Sequence, residues 1–412
     1  METKRVIVLG SDGYLGFPLS LRLIRRGHIV LGIDNLSTRK ITSKLGEESI
    51  FPLPNPDKRR DALSKVGDFS FMRADITKEG VLKDAIKRFK PDAIVHFAEQ
   101  RAAPFSMKGE NEAVYTMENN IIGTIRLIYA VMEDPSIHIL KMGTMGEYGT
   151  PNYQIPESAY MEISYKGKSD KMPVPKYAGS WYHWTKVHDS HNLLFASNVW
   201  KLTITDINQG PVYGTRTLDM LVDGKIDESL RTRLDVGDAF GTVINSNVAR
   251  AVLSYVNKVN GEKLPLYETN SRTTRGFISL QDSMNSLEAL LNNPPNQGEF
   301  RVVNQFHEIL NTTFIRMKIK EYFLDNYGYS IPIAYLKENP RVEKADHYYD
   351  PENHILKSLG VKFEYTFEKS LGDMVSDMMK YKERLLQNKD WIGVIKTGWK
   401  KDWKPEIVRV EY

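Results

Sequence analysis

The feature that most constrains the fold is a regular alternation of short apolar runs with amphipathic stretches over about the first 200 residues. The apolar runs are RVIVLG, HIVLGID, FSFMRAD, DAIVHFA, IHILKM and LTITDIN, and segments such as LGFPLSLRLIRRG and EGVLKDAIKRFK separate them. Such alternation predicts βαβ units with right-handed crossovers. We therefore expect an α/β protein with a Rossmann-type, doubly wound parallel sheet.

The domain organisation is predicted from where this alternation stops. After Asn208 the elements become irregular, which indicates a smaller, discontinuous α/β domain. The expected division is a first domain of residues 1–208 with about 243–262 and 300–308, a second of about 209–242, 263–299 and 309–386, and a tail of 387–412. A long helix is expected from about Glu112 to Met132, a hairpin insertion at 151–177 and a long polar connection at 37–67. The Trp- and Lys-rich tail is expected to pack on the body or on a partner subunit rather than to act as a lid.

Composition excludes several classes of function. Among 412 residues, 56 basic side chains are scattered among 52 acidic ones, so the net charge of +4 gives no support to nucleic-acid binding. The absence of cysteine rules out disulfides and thiolate sites, and the nine histidines show no metal-ligand spacing. A strand begins close to Met1, and no apolar run is long enough to span a bilayer. We therefore expect a cytoplasmic protein with no metal site and no membrane association.

A glycine-rich turn, GSDGYLG, follows the first strand and opens a helix. Gly10, Gly13 and Gly16 permit a tight turn and a close approach of backbone N–H groups to a pyrophosphate at a helix N-terminus. Asp34, at the end of the second strand, favours NAD over NADP because a carboxylate accepts hydrogen bonds from ribose and repels a 2′-phosphate. Arg39 lies close enough in sequence to weaken that preference. A turn holding no ligand is the alternative, and its context of strand, helix and Asp34 disfavours it.

Asp75 has two possible roles, and a Tyr–Lys pair further along the chain carries chemistry of its own. Asp75 follows FSFMRA, where it could lie near an adenine or equally cap the next helix. Tyr182 and Lys186 lie one turn apart on a predicted helix, and Thr144 follows the run IHILKM. An ammonium near a phenol favours the phenolate, which brings a weak base closer to neutral pH.

These features resemble the extended short-chain dehydrogenase/reductase family, whose members act on nucleotide sugars. Thr144, Tyr182 and Lys186 match the family's catalytic Ser/Thr, Tyr and Lys, and the segment NQGPVYG matches its connection between domains. The resemblance implies a first domain that binds NAD, a second that binds a UDP sugar, and a homodimer formed through two long helices. The NAD contacts it implies are Gly10, Asp12, Gly13, Tyr14, Leu15, Gly16, Asp34, Asn35, Arg39, Asp75, Ile76, Ala98, Asn120, Tyr182, Lys186, Gln209 and Val212.

The stretch KMGTMGEYGT narrows the resemblance. Family dehydratases carry an Asp–Glu pair directly after the Thr, whereas Met145 and Gly146 stand here, followed by Glu147. This stretch resembles the branch that makes a sulfonated nucleotide sugar from UDP-glucose and sulfite, as do VHFAEQRAAPFSM, YHWTKVHDSHN, TDINQGPVYG, NQF and NPRVEKADHYY. The stretch LPLYETNSRTTRGF departs from that branch because it lacks glycines before TRG.

The resemblance implies a reaction with named roles. Tyr182 deprotonates the C4 hydroxyl while Thr144 polarises O4, and the resulting ketone acidifies the C5 proton. Glu147 and His183 are the candidates for moving that proton, and Met145 forms a non-ionisable wall. The C6 hydroxyl leaves, sulfite adds at C6, and C4 is reduced again. The implied substrate contacts are Arg101, Thr144, Glu147, Tyr182, Gln209, Arg233, Thr242, Arg275 and Arg341.

Other interpretations remain open at this point. Each arginine could instead form a surface salt bridge, His183 could be a packed helix residue, and Val212 could contribute only backbone or packing contacts. A UDP-sugar 4,6-dehydratase or 4-epimerase would share most of these motifs. A non-catalytic NAD-sensing module is disfavoured by the intact Thr144, Tyr182 and Lys186.

Overall fold

The structure, a computed structural model, describes residues 2–261, 263–269, 273–342, 349–393 and 395–412. Its largest sheet is parallel throughout and has the strand order β14-β8-β5-β4-β1-β2-β3. The strands are β1 (Arg5–Leu9), β2 (Ile29–Asp34), β3 (Phe69–Arg73), β4 (Ala93–His96), β5 (His138–Thr144), β6 (Tyr160–Tyr165), β7 (Lys168–Pro173), β8 (Ile204–Gln209), β9 (Val212–Tyr213), β10 (Leu221–Val222), β11 (Lys225–Ile226), β12 (Leu266–Thr269), β13 (Thr274–Ser279), β14 (Phe300–Gln305), β15 (Glu308–Asn311), β16 (Ile333–Leu336) and β17 (Ile407–Glu411). The predicted α/β class with a parallel, Rossmann-type sheet is confirmed.

Helices cover both faces of this sheet. The α-helices are α1 (Gly16–Arg25), α2 (Ser37–Leu45), α3 (Pro56–Ser64), α4 (Val81–Phe89), α5 (Ala103–Ser106), α6 (Glu110–Met117), α7 (Gly123–Val131), α8 (Trp181–Trp200), α9 (Val243–Asn257), α10 (Leu280–Asn292), α11 (Thr312–Tyr327), α12 (Ile355–Ser358), α13 (Phe367–Met379), α14 (Lys382–Gln387) and α15 (Lys389–Ile392). A π-helical segment spans Glu118–Ile122, and 3-10 turns span Met145–Tyr148, Leu218–Met220, Glu228–Leu230 and Lys258–Asn260. None of the described helices combines the length and apolar character needed to cross a bilayer.

The period-two alternation of β1 explains the double winding. Val6 and Val8 belong to one hydrophobic cluster, which includes side chains of α1 and α9, whereas Ile7 and Leu9 belong to a second, which includes side chains of α4 and α7. Successive side chains of a strand point to opposite faces, so a strand that is apolar at every position must be covered on both. The central strands therefore read as continuous apolar runs in the sequence.

The long helix expected at about 112–132 contains a π-helical turn. Helix α6 continues through Glu118–Ile122 into α7 without leaving helical backbone angles. The π turn carries Asn120, whose side chain is fully buried. Single π turns inside α-helices are frequent at functional sites.

Smaller sheets lie outside the parallel sheet. One has the order β12-β16-β17 and another the order β15-β13-β9, while β6 and β7 form an antiparallel hairpin within the insertion expected at 151–177. Strand β17, from the predicted tail, pairs antiparallel with β16. The long polar connection expected at 37–67 contains α2 and α3. The division into two domains stays a prediction.

Candidate active site

A cavity of about 1140 Å³ opens beyond the carboxyl ends of the parallel strands. Residues at or just after the ends of β1, β2, β4, β5 and β8 line it, and β1 and β4 flank the point where the strand order reverses. Ligands of open α/β sheets bind at such a switch point. The predicted site residues that line the cavity are Gly10, Gly13, Tyr14, Leu15, Gly16, Asp34, Asn35, Ile76, Ala98, Arg101, Thr144, Met145, Tyr182, His183, Lys186, Gln209, Val212, Thr242, Arg275 and Arg341. Six others do not line it, namely Asp12, Arg39, Asp75, Asn120, Glu147 and Arg233.

The glycine turn fits a dinucleotide. Gly10 has φ +83°, and a Cβ at this position would lie 2.8 Å from the carbonyl carbon of Phe97. A Cβ on Gly16 would lie 2.1 Å from the carbonyl oxygen of Gly10. Only glycine therefore allows the turn to close against β4 and α1 while its backbone faces the cavity. The donor groups of this turn and the helix N-terminus beside it suit a pyrophosphate.

Asp34 lines the cavity at the end of β2. Its carboxylate accepts hydrogen bonds from the backbone N–H groups of Asp12 (2.9 Å) and Leu36 (2.7 Å). Burial, together with the negative charge of Asp12, raises the pKa of Asp34 to about 6. A carboxylate placed here suits ribose hydroxyls and disfavours a 2′-phosphate.

The Asp12 and Arg39 side chains pair with each other, and the cofactor contacts expected of these two residues stay predictions. The Arg39 guanidinium donates two hydrogen bonds to the Asp12 carboxylate, of 2.6 and 2.9 Å, and Arg59 lies 3.0 Å from the same carboxylate. Arg39 also donates to the carbonyl oxygen of Pro54 at 2.9 Å. This ion-pair cluster fixes α2 and α3 to the glycine turn and engages the Arg39 guanidinium.

Asp75 and Asn120 also make contacts within the protein, and the cofactor contacts expected of them stay predictions. The Asp75 carboxylate accepts from the N–H (3.0 Å) and the hydroxyl (2.8 Å) of Thr77, so it caps its own turn. The Asn120 amide donates to the Gln100 carbonyl oxygen and to the Thr185 hydroxyl, both at 2.9 Å, and accepts from the Gln100 N–H at 2.7 Å. Asn120 thus ties the loop after β4 to α8 from behind the cavity wall.

Tyr182 and Lys186 lie together on the cavity wall, at the start of α8. The Lys186 ammonium lies 5.8 Å from the centre of the Tyr182 ring and donates to the Met142 carbonyl oxygen at 2.5 Å. It also forms an ion pair with Glu99. Burial raises the pKa of Tyr182 more than Lys186 lowers it, and Glu99 raises it further. The expectation of a phenol shifted toward neutrality is therefore wrong for the protein alone.

Glu147 lies beneath the cavity and does not face it. It closes a capping box with Thr144, since its Oε1 accepts from the Thr144 N–H at 3.1 Å while the Thr144 hydroxyl accepts from the Gly146 N–H at 3.1 Å. Its fully buried carboxylate lies 3.3 Å from the Lys141 ammonium and 2.5 Å from that of Lys176. Burial alone would raise its pKa, but these two ammonium groups lower the pKa of Glu147 to about 2. The prediction that Glu147 contacts substrate and moves a proton there is therefore corrected.

Met145 and His183 remain on the cavity wall, beside Gly146. A Cβ on Gly146 would lie 2.5 Å from both Cδ2 and Nε2 of His183, so the imidazole occupies the space that a side chain at position 146 would need. The His183 Nδ1 lies 2.9 Å from the Ser180 hydroxyl, the N-cap of α8. The ring nitrogen on the other side, Nε2, thus faces the turn where family dehydratases carry an acid.

The arginines fall into two groups. Arg275 and Arg341 line the cavity, where the Arg341 guanidinium lies 5.4 Å from the centre of the Trp399 ring. Arg101 also lines it and is ion-paired with Asp235. Arg233, by contrast, is 1% exposed and makes two 2.8 Å hydrogen bonds to Asp235, so the expected substrate contact by Arg233 is corrected.

The remaining lining residues include groups that the motifs did not reveal. Glu99 stands two residues before Arg101, and an acid three residues after the end of a central strand is a sequence signal for it. The tail, expected to pack on the body rather than over the site, contributes Ile395, Thr397 and Trp399 to the cavity wall. Nothing in its composition points to the cavity. Parts of two motifs, residues 270–272 and 343–348, lie outside the described residues.

Comparison with known proteins places the chain in a family. The model of the NAD dependent epimerase/dehydratase family matches residues 6–197. A curated UDP-sulfoquinovose synthase from Sulfolobus acidocaldarius is 50% identical over 98% of this chain and 99% of its own length. The chloroplastic UDP-sulfoquinovose synthase of Spinacia oleracea is 36% identical over 98% of this chain and 81% of its own length.

Solved structures share the fold. A UDP-glucose-4-epimerase from Stenotrophomonas maltophila, with bound NAD and formylated UDP-arabinopyranose, superposes with a TM-score of 0.66 at 16% identity, covering 93% of this chain and 99% of that one. The UDP-glucose 4-epimerase of Thermotoga maritima, with UDP-glucose, gives 0.62 at 18% identity, covering 91% and 98%. The chain belongs to the NAD dependent epimerase/dehydratase family, in which UDP-sulfoquinovose synthases are its relatives along its whole length.

Proposed function

We propose that the protein converts UDP-glucose and sulfite into UDP-sulfoquinovose, with NAD as its resident cofactor. The observation that carries this proposal is the turn Thr144–Met145–Gly146 on the wall of the same cavity as Tyr182 and the glycine turn, with the His183 imidazole in the space of a side chain at position 146. Full-length similarity to two curated UDP-sulfoquinovose synthases supports the same reaction.

The cofactor would lie along the glycine turn. Gly10, Gly13 and Gly16 would approach the pyrophosphate, and Asp34 would accept hydrogen bonds from the adenosine ribose. Bound NAD supplies a reversible two-electron oxidation at the sugar carbon C4. The side chains of this protein then have to move protons, hold the substrate and exclude water.

Tyr182 is the proposed base for the C4 hydroxyl. As phenolate it accepts the O4 proton while the C4–H bond is broken, and as phenol it returns that proton when the C4 carbonyl is reduced. Thr144 lies at the end of β5 on the same wall, where its hydroxyl would hold O4. The two residues come from different elements, so their meeting is a property of the fold.

His183 is the proposed group for the proton on C5. A ketone at C4 acidifies that proton, and its removal expels the C6 hydroxyl as water. The sulfur of sulfite then forms a bond to C6, and C5 regains a proton. The sum is UDP-glucose plus bisulfite giving UDP-sulfoquinovose plus water, with no net oxidation. We favour His183 over Glu147 because His183 lines the cavity and Glu147 is buried in ion pairs.

Cationic side chains would hold the anionic parts of the substrate. We propose that Arg275 and Arg341 contact the diphosphate and uridine, since a guanidinium pairs well with phosphate oxygens. Arg101 is proposed to face the sugar end of the cavity. Two domains, one holding NAD and one holding the UDP sugar, and a cytoplasmic location complete the proposal.

A homodimer is proposed from an apolar surface on the helices. Val114, Ile122 and Tyr129, on the α6–α7 helix, are 44–47% exposed, and Phe195 and Val199 on α8 are 59% and 52% exposed. Adjoining apolar side chains on exposed helix faces are typical of subunit interfaces. Sedimentation of the purified protein tests this: a monomer at micromolar concentration would contradict it.

The experiment that tests the function is a mass measurement of the products formed from UDP-glucose, NAD and sulfite. We expect a nucleotide sugar in which the C6 hydroxyl is replaced by a sulfonate, and no such product when sulfite is omitted. Formation of UDP-galactose or of a free 4-keto-6-deoxy sugar, with no sulfonated product, would identify an epimerase or a dehydratase instead. Bound NAD without any conversion would identify a binding module.

A further inference from the structure

Glu99 is a carboxylate in the cavity wall to which the proposed reaction gives no role. It lies three residues beyond the end of β4 and lines the cavity, and its side chain is only 1% exposed. Within the described part of the chain, no backbone N–H or hydroxyl group donates a hydrogen bond to its carboxylate. A buried ionised group without such bonds requires a strong counter-charge.

Two side chains face this carboxylate at close range. One is Lys186, with which Glu99 forms an ion pair, and the other is His96, whose Nε2 lies 3.5 Å from Oε1. Burial lowers the pKa of His96 to about 4, so its imidazole is neutral near pH 7. The counter-charge of Glu99 at that pH is therefore the ammonium of Lys186, the same group that faces Tyr182.

We propose that Glu99 is a positioning residue for proton transfer at Tyr182: its carboxylate holds the Lys186 ammonium in place and controls how readily the phenol releases its proton. The proposal rests on the assignment of Tyr182 as the base of the proposed function. It deepens that assignment by naming a third member of the group.

The charges around the phenol explain the effect. Tyr182 is faced by Lys186 and Lys141, which lower its pKa, and by Glu99 and Glu147, which raise it. Glu147 is already neutralised by lysines beneath the turn. Removing the charge of Glu99 therefore leaves more of the positive potential of Lys186 acting on the phenol.

The other carboxylate near Lys186 is not an equivalent partner. Asp189 is fully buried on α8, and burial together with the charge of Glu99 raises its pKa well above its ordinary value. In the described part of the chain the ion pair of Lys186 is with Glu99 and not with Asp189. Asp189→Asn is therefore a matched control, because it makes the same carboxylate-to-amide change on a buried side chain that does not form this ion pair.

The proposed role has a consequence for a reaction that uses the same proton twice. Tyr182 must accept the O4 proton as phenolate during oxidation and return it as phenol during reduction. By opposing Lys186, Glu99 keeps the proton on Tyr182 more firmly, which favours the return step and the closing of the catalytic cycle.

The test is the dependence of kcat/KM for UDP-glucose on pH in Glu99→Gln, Asp189→Asn and wild type. We expect the acid limb of Glu99→Gln to move to lower pH, so that on the acid side the variant keeps a roughly tenfold larger fraction of its plateau value, the scale of effect produced by one nearby charge. Asp189→Asn should keep the wild-type limb, and Glu99→Asp should restore it. A Glu99→Gln profile that falls in height without moving would reduce Glu99 to a structural residue and overturn the proposal.

A second readout needs no turnover. The phenolate absorbance difference between Glu99→Gln and Glu99→Gln/Tyr182→Phe isolates the titration of Tyr182, and the same difference in the wild-type background is the reference. We expect that titration at lower pH in the Gln background. Equal midpoints would overturn the proposal, whereas failure of the proposed function would appear separately, in the product masses. Should the Gln variant not fold, Glu99→Ala serves in both measurements.

Discussion

Two lysine–glutamate pairs lie side by side at the end of β5 and have opposite surroundings. Lys186 and Glu99 line the cavity. Lys141 and Glu147 are each 0% exposed, 3.3 Å apart, and Asp206 lies 3.2 Å from the same lysine. The same two residue types thus serve two purposes. Lys186 and Glu99, the open pair, face the space where a sugar would react. Lys141 and Glu147, the closed pair, stabilise the turn that shapes that space.

The closed pair is held in place by the residues around Glu147. Glu147 has Lys176 and Ser190 as further partners, at 2.5 and 2.8 Å, so its carboxylate is satisfied on all sides. Removing one partner of a buried ion pair is strongly destabilising. A carboxylate that is bonded on all sides also has no free lone pair with which to accept a proton from a substrate. The difference teaches that exposure to the cavity, rather than distance along the chain from Thr144, separates reacting groups from supporting ones.

The largest expected effect concerns Tyr182, the phenol that faces the open pair. Tyr182→Phe removes the proposed base while keeping the ring, so turnover should fall by about 10²–10⁴-fold, the usual contribution of a general base. NAD content and unfolding free energy should stay at the wild-type level. Steady-state kinetics measure turnover, cofactor release on denaturation measures NAD content, and urea unfolding measures the free energy of unfolding. Turnover near wild type would mean that another group takes the O4 proton.

Glu147→Gln should remove the ion pairs of the closed pair and destabilise the fold. It leaves two lysine ammonium groups without their shared counter-charge, so the free energy of unfolding at pH 7 should fall by about 3–5 kcal/mol. Urea unfolding measures this, with Asp189→Asn as a control that makes the same kind of change on a buried side chain outside the ion pairs of Glu147. A loss below about 1 kcal/mol would contradict the role of Glu147 as a buried support.

The pH dependence of that loss has a definite sign. The pKa of Glu147 is lowered from 4.5 to about 2 in the folded protein, so the ion pair stabilises the fold above pH 4.5 and its contribution disappears as the pH falls through about 2. The gap between wild type and Glu147→Gln should therefore be constant near neutrality and narrow between pH 4.5 and 2. A gap that widens toward acid would contradict this account.

A smaller effect is expected from Trp399, at the far end of the cavity. Trp399→Ala removes an aromatic wall and the ring over which Arg341 lies, so UDP should bind on the order of tenfold more weakly, with NAD content unchanged. Calorimetric titration with UDP measures it, and Trp399→Phe is the conservative control. Unchanged UDP affinity would return the tail to a packing role.

The smallest expected effect concerns cofactor choice. Asp34→Asn removes the negative charge that opposes a 2′-phosphate, and Arg39 is held by Asp12, so preference for NAD over NADP should drop by only a few-fold. Competition binding of the two dinucleotides measures the ratio. An inversion to NADP preference would show that Arg39 leaves Asp12 and reaches the phosphate.

The sequence predicts those parts of the molecule that depend on local pattern. The strands and the placement of Thr144 and Tyr182 follow from apolar runs and from one helical turn, both of which act over short distances. The surroundings of Glu147 do not, because Lys141, Lys176 and Ser190 come from β5, the loop before α8 and α8 itself. The spacing of Thr144 and Glu147 is that of a capping box, which is a local signal for a glutamate bound to the backbone.

The surroundings of other site residues also depend on partners from distant parts of the chain. Arg233 and Asn120 each have buried partners that no spacing in the sequence reveals, Asp235 for the first and Gln100 with Thr185 for the second. The tail joined the cavity wall because β17 pairs with β16, a contact between distant segments.

The most direct measurement is the incorporation of deuterium at C5 of UDP-glucose recovered from heavy water, with NAD present and sulfite omitted. Exchange there requires oxidation at C4 and then loss of the C5 proton. We predict exchange in wild type, exchange at a similar rate per folded molecule in Glu147→Gln, and none in Tyr182→Phe. Exchange that persists in Tyr182→Phe, or that vanishes in folded Glu147→Gln, would contradict the assignment of Tyr182 to chemistry and of Glu147 to support.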